Sequence, residues 1–199
     1  MINHCNRGFF VQLLIASGLA VFRGERLVFR DLSFALGRGE ALLLRGANGA
    51  GKSSLLRVLA GLTPLAAGKL LWNGENALED HPAHARRIAW LGHLDAVKPA
   101  LTAAENVSDP AALQAVGLAA YAALPARLLS AGQKRRLAIA RVIATAAPLW
   151  LLDEPTTGLD AASEAQFIGI CESHLATGGA IIASTHTQLE LDRAKTLNL

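Results

Sequence analysis

Four short apolar runs set the rhythm of this chain: Ala41 to Arg45 (ALLLR), Ile88 to Leu91, Leu149 to Leu152 and Ala180 to Ala183. None alternates with polar residues, which is the pattern of strands buried on both faces of a parallel sheet. The stretches between them are long enough for the helical crossovers that parallel strands require. Directly after the first run, Ser53 to Gly61 (SSLLRVLAG) reads as a helix stopped by a glycine. The pattern changes upstream. From Leu13 to Leu36 the residues suggest an antiparallel layer, with a first strand around Leu13 to Phe22 and a later one in which Leu32, Phe34 and Leu36 alternate with Ser33 and Ala35. Gly37 to Gly39 closes that layer. A small helical insertion is expected at 94–129, where Thr102 and Glu105 have capping-box spacing and Asp109-Pro110 opens a short helix that Gly117 ends. Ser130 and Gln133 repeat the capping-box spacing at the head of LSAGQKRRLAIAR. With no repeats, low-complexity tracts or flexible linkers, 1–199 reads as one α/β domain, of which 1–93 and 130–199 make the core and 94–129 a small helical subdomain.

Chemistry enters at the end of the first run. Gly46 to Ser53 spell GANGAGKS, between a strand and a helix. Gly46, Gly49 and Gly51 permit the tight turns by which successive amide hydrogens converge on phosphate oxygens, aided by the positive end of the following helix. Lys52 would reach the β and γ phosphates and the Ser53 hydroxyl would hold Mg²⁺. The alternative is a glycine-rich turn with a chance lysine, which would not need strand before and helix after. The run Leu149 to Leu152 ends in two carboxylates, where Asp153 would support Mg²⁺ and Glu154 would polarise a water against the γ phosphate.

Taken in order, GANGAGKS, LSAGQ, LLDEP, GLD (Gly158 to Asp160) and STH (Ser184 to His186) resemble the ATPase subunit of ATP-binding-cassette (ABC) proteins over nearly the whole chain. The resemblance implies a P-loop NTPase fold, with a RecA-like parallel core sheet and flanking helices, an N-terminal antiparallel β layer and a shortened helical subdomain. It implies ATP and Mg²⁺ as cofactors. ATP would lie on Gly46, Ala47, Asn48, Gly49, Ala50, Gly51, Lys52, Ser53 and Ser54, with Mg²⁺ on Ser53 and Asp153. The signature residues Ser130, Ala131, Gly132 and Gln133 would contact the ATP held by a second copy, so each chain carries half of each site in a homodimer. Asp160 would communicate across that dimer. His186 would contact the γ phosphate and orient the water; a core histidine at a strand end is the alternative. Lys134, Arg135, Arg136 and Arg141 are read as a solvated face of the signature helix.

Composition narrows the setting. The chain has 199 residues, of which 52% are hydrophobic and 18% charged, below the roughly 25% charged usual in soluble domains. An apolar excess suits a protein kept against partners. No segment reaches the ~20 apolar residues that span a bilayer; Gly8 to Phe22 contains Gln12, Ser17 and two glycines. No secretory cleavage site is evident, and ATP chemistry points to the cytoplasmic side. Cys5 and Cys171 offer neither a disulfide framework nor metal spacing. The formal charge is +3, but the basic residues are scattered without interleaved aromatics, so nucleic acid is not expected as a partner.

Absences and departures point further. The insertion is short, thirteen residues follow His186, and neither a heptad-rich insertion nor a second cassette is present. Those features favour a transporter's ATPase subunit, peripheral on the cytoplasmic face of the inner membrane. Where the family usually has a glutamine, Trp90 to Val107 (WLGHLDAVKPALTAAENV) places His93, and Ala131 replaces a signature glycine. GH, then LT before EN, then LSAGQ look like the ATPase subunit of the haem exporter of cytochrome c maturation, although Leu94 stands where that subfamily has glutamine. This implies haem-transporting ATPase activity, with CcmB-like integral membrane permease subunits and a CcmC-like haem-handling partner. It adds His93 to the catalytic candidates Glu154 and His186. Other readings are an exporter ATPase for lipid, peptide or drug, a soluble ABC ATPase acting on nucleic acid or ribosomes, and a nonenzymatic assembly module.

Overall fold

A computed structural model of the chain describes residues 12–185, 189–192 and 194–199. The apolar runs become a five-stranded, all-parallel sheet in the order β6-β7-β8-β3-β9, made of β3 (Ala41–Arg45), β6 (Ile88–Leu91), β7 (Leu149–Asp153), β8 (Ala180–Ser184) and β9 (Lys195–Asn198). Successive residues feed opposite cores, as a period of two demands. Leu43, Leu91, Trp150, Leu152 and Ile181 face one apolar cluster. Leu42, Leu44, Leu149, Leu151 and Ile182 face the other.

The first cluster is capped by helices. The long helices α5 (Ala131–Ala144) and α6 (Ala161–Ala176) bury Leu137, Ile139, Phe167 and Cys171 there, and the short α3 (Ala103–Val107) and α4 (Pro110–Ala115) pack on α5. Burial pushes the Cys171 thiol far up and leaves it unreactive. The capping boxes form: the Thr102 hydroxyl accepts from the Glu105 amide and the Ser130 hydroxyl from that of Gln133, while each N3 side chain accepts the cap amide.

The second cluster is closed by an antiparallel sheet in the order β2-β1-β4-β5, formed by β1 (Gln12–Arg23), β2 (Arg26–Gly37), β4 (Ala67–Trp72) and β5 (Glu75–Asn76). Between the sheets runs α1 (Lys52–Leu59), whose Leu55, Leu56 and Leu59 are fully buried. Register shifts bend β1 between Ala16 and Val21. Close approach accompanies the bend: a Cβ on Gly68 would lie 2.5 Å from the Gly18 carbonyl oxygen. Helix α2 (His81–Arg86) is capped by Asp80 and tied to the end of α1 through His84, whose Nε2 lies 2.8 Å from the Leu59 oxygen. Burial holds the His84 imidazole below its ordinary range, so it is neutral and donates that bond.

β3 and β7 end at the same, carboxyl, edge of the sheet, with β8 between them. Full burial of Leu44 and Leu152 stabilises by about 1.5–3 kcal/mol each, against about 1 kcal/mol net for a neutral hydrogen bond. Apolar packing therefore locates the strand ends, and hydrogen bonds orient the loops beyond them.

Candidate nucleotide-binding site

The loop after β3 takes the conformation its glycines allow. Gly46, Gly49 and Gly51 all have positive φ, at 144°, 81° and 109°. Gly51 is also sterically required, since a Cβ there would fall 2.7 Å from Val28 Cγ1 of β2. No side chain caps α1 and no acidic residue lies in its first turn, which leaves its positive end available to an anion. Lys52 is only 6% exposed, and its ammonium folds back to donate to the carbonyls of Gly46 (2.8 Å) and Ala47 (3.2 Å).

At the end of β7, Asp153 Oδ1 accepts hydrogen bonds from Ser53 (3.0 Å) and Ser184 (2.6 Å). Ser53 and Asp153 are hard oxygen donors. That donor chemistry fits a hard cation such as Mg²⁺. Glu154 has φ +50°, a left-handed conformation costing about 1–2 kcal/mol in a residue with a Cβ. Its amide donates to the Ser184 carbonyl (3.1 Å) and hydroxyl (3.2 Å), and its carbonyl accepts from Arg135 at 2.5 Å.

A cavity of about 480 Å³ brings Asn48, Gly49, Gly51, Lys52, Ser53 and Ser54 together with His93, Asp153 and Glu154. The signature residues do not line it. Ser130 caps α5 with Ala131, Gly132 and Gln133 in the first turn, and a Cβ on Gly132 would sit 3.3 Å from the Gly158 carbonyl oxygen. Asp160 caps α6, accepting from the Ser163 amide at 2.8 Å, and the Ser163 hydrogen bonds hold its carboxyl below the usual range. His186 and Cys5 lie outside the described residues.

The expected solvated face of the signature helix needs correcting. Arg135 is 5% exposed and bonded to five oxygens. Arg136 donates to the Val116 carbonyl at 3.1 Å and Arg141 to that of Ala96, while Lys134 is half-buried. The reason is α5's position: it runs between the sheet and the small helices, so its three arginines reach main-chain carbonyls of neighbouring segments. Arg23 and Thr157, which also line the cavity, and Ser184 were not legible as site residues. Ser184 had one usable signal, its place in the STH motif directly after an apolar run.

A family model described as ABC transporter matches residues 29–157, a span holding the loop, the signature and both carboxylates. The cytochrome c biogenesis ATP-binding export protein CcmA of Paramagnetospirillum magneticum is 50% identical over 200 aligned residues, covering 92% of this chain and 92% of that protein. The protein of the same name from a Chelativorans species is 46% identical, over 94% of this chain and 97% of its own. Among solved structures, the ATP binding subunit of an ABC transporter superposes with a TM-score of 0.78 at 26% identity, over 87% of this chain and 79% of that one. A dimeric ATP-binding cassette bound to ADP and phosphate in a post-hydrolysis state gives the same TM-score of 0.78 at 22% identity, over 87% and 88%, a likeness of fold. A glycine-rich loop, two carboxylates and a capped helix in this arrangement, with relatives matched over more than nine tenths of both chains, place the chain in the ABC transporter family, in the branch of the cytochrome c biogenesis ATP-binding export proteins.

Proposed function

We propose that the chain is the ATP-hydrolysing subunit of a haem exporter complex serving cytochrome c biogenesis, working as a homodimer on the cytoplasmic face of the inner membrane. The observation that carries the reading is the division of the site. One cavity holds the phosphate loop, Asp153 and Glu154, while Ser130 to Gln133 sit on a separate exposed helix end. Two copies facing each other would complete two sites, each between one phosphate loop and the other chain's signature. Gly46 to Ser54 would bind ATP, and Ser53 and Asp153 would hold Mg²⁺, which neutralises phosphate charge when bound. Glu154 would take a proton from water as the water oxygen attacks the γ phosphorus and the ADP oxygen leaves. His186 would support the γ phosphate, and Asp160 would transmit closure across the dimer.

The membrane partners would be permease subunits with a haem-handling companion, CcmB-like and CcmC-like. Among the described residues no helix is long and apolar enough to cross a membrane, so the translocating path would belong to those chains. They would engage the groove of about 470 Å³ between β6 and α5, where Trp90, Leu94 and Asn106 line the walls and Leu94 is 80% exposed. The test is haem-stained holo-cytochrome c in source cells lacking the chain. Loss of all c-type cytochromes, restored by wild type and not by Glu154→Gln, is expected. Normal cytochromes in the deletion would reject the maturation role and leave an ABC transport ATPase of another cargo.

His93 lines the same cavity. A neutral imidazole can accept a hydrogen bond from the attacking water, as a glutamine side-chain oxygen could. His93→Gln should therefore keep most of the turnover and His93→Ala should lose it several-fold. Equal rates in wild type and His93→Ala would remove His93 from the reaction.

A further inference from the structure

Arg135 carries more than a buried cation needs. Its Nε donates to the Pro155 carbonyl at 3.1 Å, and Nη2 donates to those of Asp153 (3.2 Å) and Glu154 (2.5 Å). Its Nη1 donates to the Gly92 carbonyl and to Asp95 Oδ1, both at 3.0 Å. Three consecutive carbonyls at the end of β7 are thus gathered by one planar fork, and the middle one belongs to the residue with left-handed backbone. A lysine, with one nitrogen, could not span them.

Gly92 and Asp95, both held by Nη1, flank His93 and Leu94. His93 lines the nucleotide cavity and Leu94 stands exposed in the groove above β6. We infer that Arg135 is a positioning residue for hydrolysis: it sets the backbone from which Glu154 projects and ties it to the Gly92 to Asp95 loop, so that the water-activating carboxylate and the partner-facing loop move as one. The inference rests on Glu154 being the base and on the groove being the partner's. Arg135 itself touches no reacting atom. Its contribution would be geometric, because small misplacement of a catalytic group costs large factors in rate.

The test is a double-mutant cycle of Arg135→Gln with Glu154→Gln, on the full chain in its membrane complex, reading kcat and the Kd for ATP separately. Arg135→Gln alone is expected to lower kcat about 10- to 100-fold with Kd changed less than about threefold, the scale of a misplaced catalytic group. In the Glu154→Gln background the same change should cost less than about twofold, since both act through one carboxylate. Arg135→Lys, which keeps the charge, should recover only part of the rate. If the buried arginine tolerates neither replacement, Asp95→Asn carries the same comparison, its side chain being 29% exposed. It should lower kcat several-fold in wild type and little in Glu154→Gln. Equal fractional losses in both backgrounds, or wild-type kcat in the variants, would overturn the inference alone. Unchanged turnover in Glu154→Gln by itself would overturn the assignment of the base, and the inference with it.

Discussion

Glu154→Gln should bind ATP as wild type does and turn it over about 10² or more times slower, the scale set by loss of a positioned general base. The substitution keeps the volume of the side chain and leaves the main-chain bonds of residue 154, among them those to Ser184 and from Arg135 and Thr157. It removes the negative charge and with it the ability to take a proton. Asp153, with its two serine partners, and Lys52 remain as they are, so the proposed Mg²⁺ and phosphate contacts should persist. Because closure would follow binding and reopening would follow hydrolysis, the variant should accumulate as an ATP-bound dimer. Phosphate release, a fluorescent-nucleotide titration and size-exclusion in Mg²⁺·ATP measure the three quantities. Full turnover in Glu154→Gln would take the carboxylate out of the reaction and leave its left-handed backbone as a structural accident.

How much of the molecule could be read from the chain depends on how each part is encoded. The strands β3, β7 and β8 are buried on both sides and β6, half-buried on one, is still apolar throughout, so all four are written as unbroken apolar runs. β4, β5 and β9 escaped because they lie at or near sheet edges and begin or consist largely of exposed residues, as in AGKLLW and KTLN. Pairing makes them strands, β4 with β1, β5 with β4 and β9 with β3; no local pattern does. α2 was missed despite a usable signal, Asp80 followed by His81-Pro82, the aspartate cap and early proline of a helix start. Within the candidate site, residues named from contiguous motifs are brought together: Gly51, Lys52, Ser53, Asp153 and Glu154 line one cavity. Arg135 was not legible, because four of its five acceptors are main-chain carbonyls. A carbonyl leaves no trace in the residue type that carries it, so a basic side chain that serves the backbone looks, in sequence, like one that serves solvent.

Lys52→Ala should fail in the opposite way, at binding. A hydrogen bond to a charged group is worth about 1.5–3 kcal/mol, and 1.4 kcal/mol is tenfold in Kd, so ATP affinity should weaken about 10- to 100-fold. The fold itself should be nearly indifferent. The two carbonyls that Lys52 now satisfies belong to Gly46 and Ala47, both exposed residues, and water can replace the ammonium there. The truncation also leaves Leu55, Leu56 and Leu59 of α1 in their apolar contacts. Thermal midpoint without nucleotide should thus stay close to wild type, while the stabilisation that saturating ATP confers on wild type should shrink, since ligand stabilisation scales with the logarithm of concentration over Kd. Paired melts with and without Mg²⁺·ATP separate the two effects in one experiment. An undiminished ATP-dependent rise in the midpoint would mean that the loop amides and the positive end of α1 hold the phosphates alone, and that Lys52 serves the loop it is folded against.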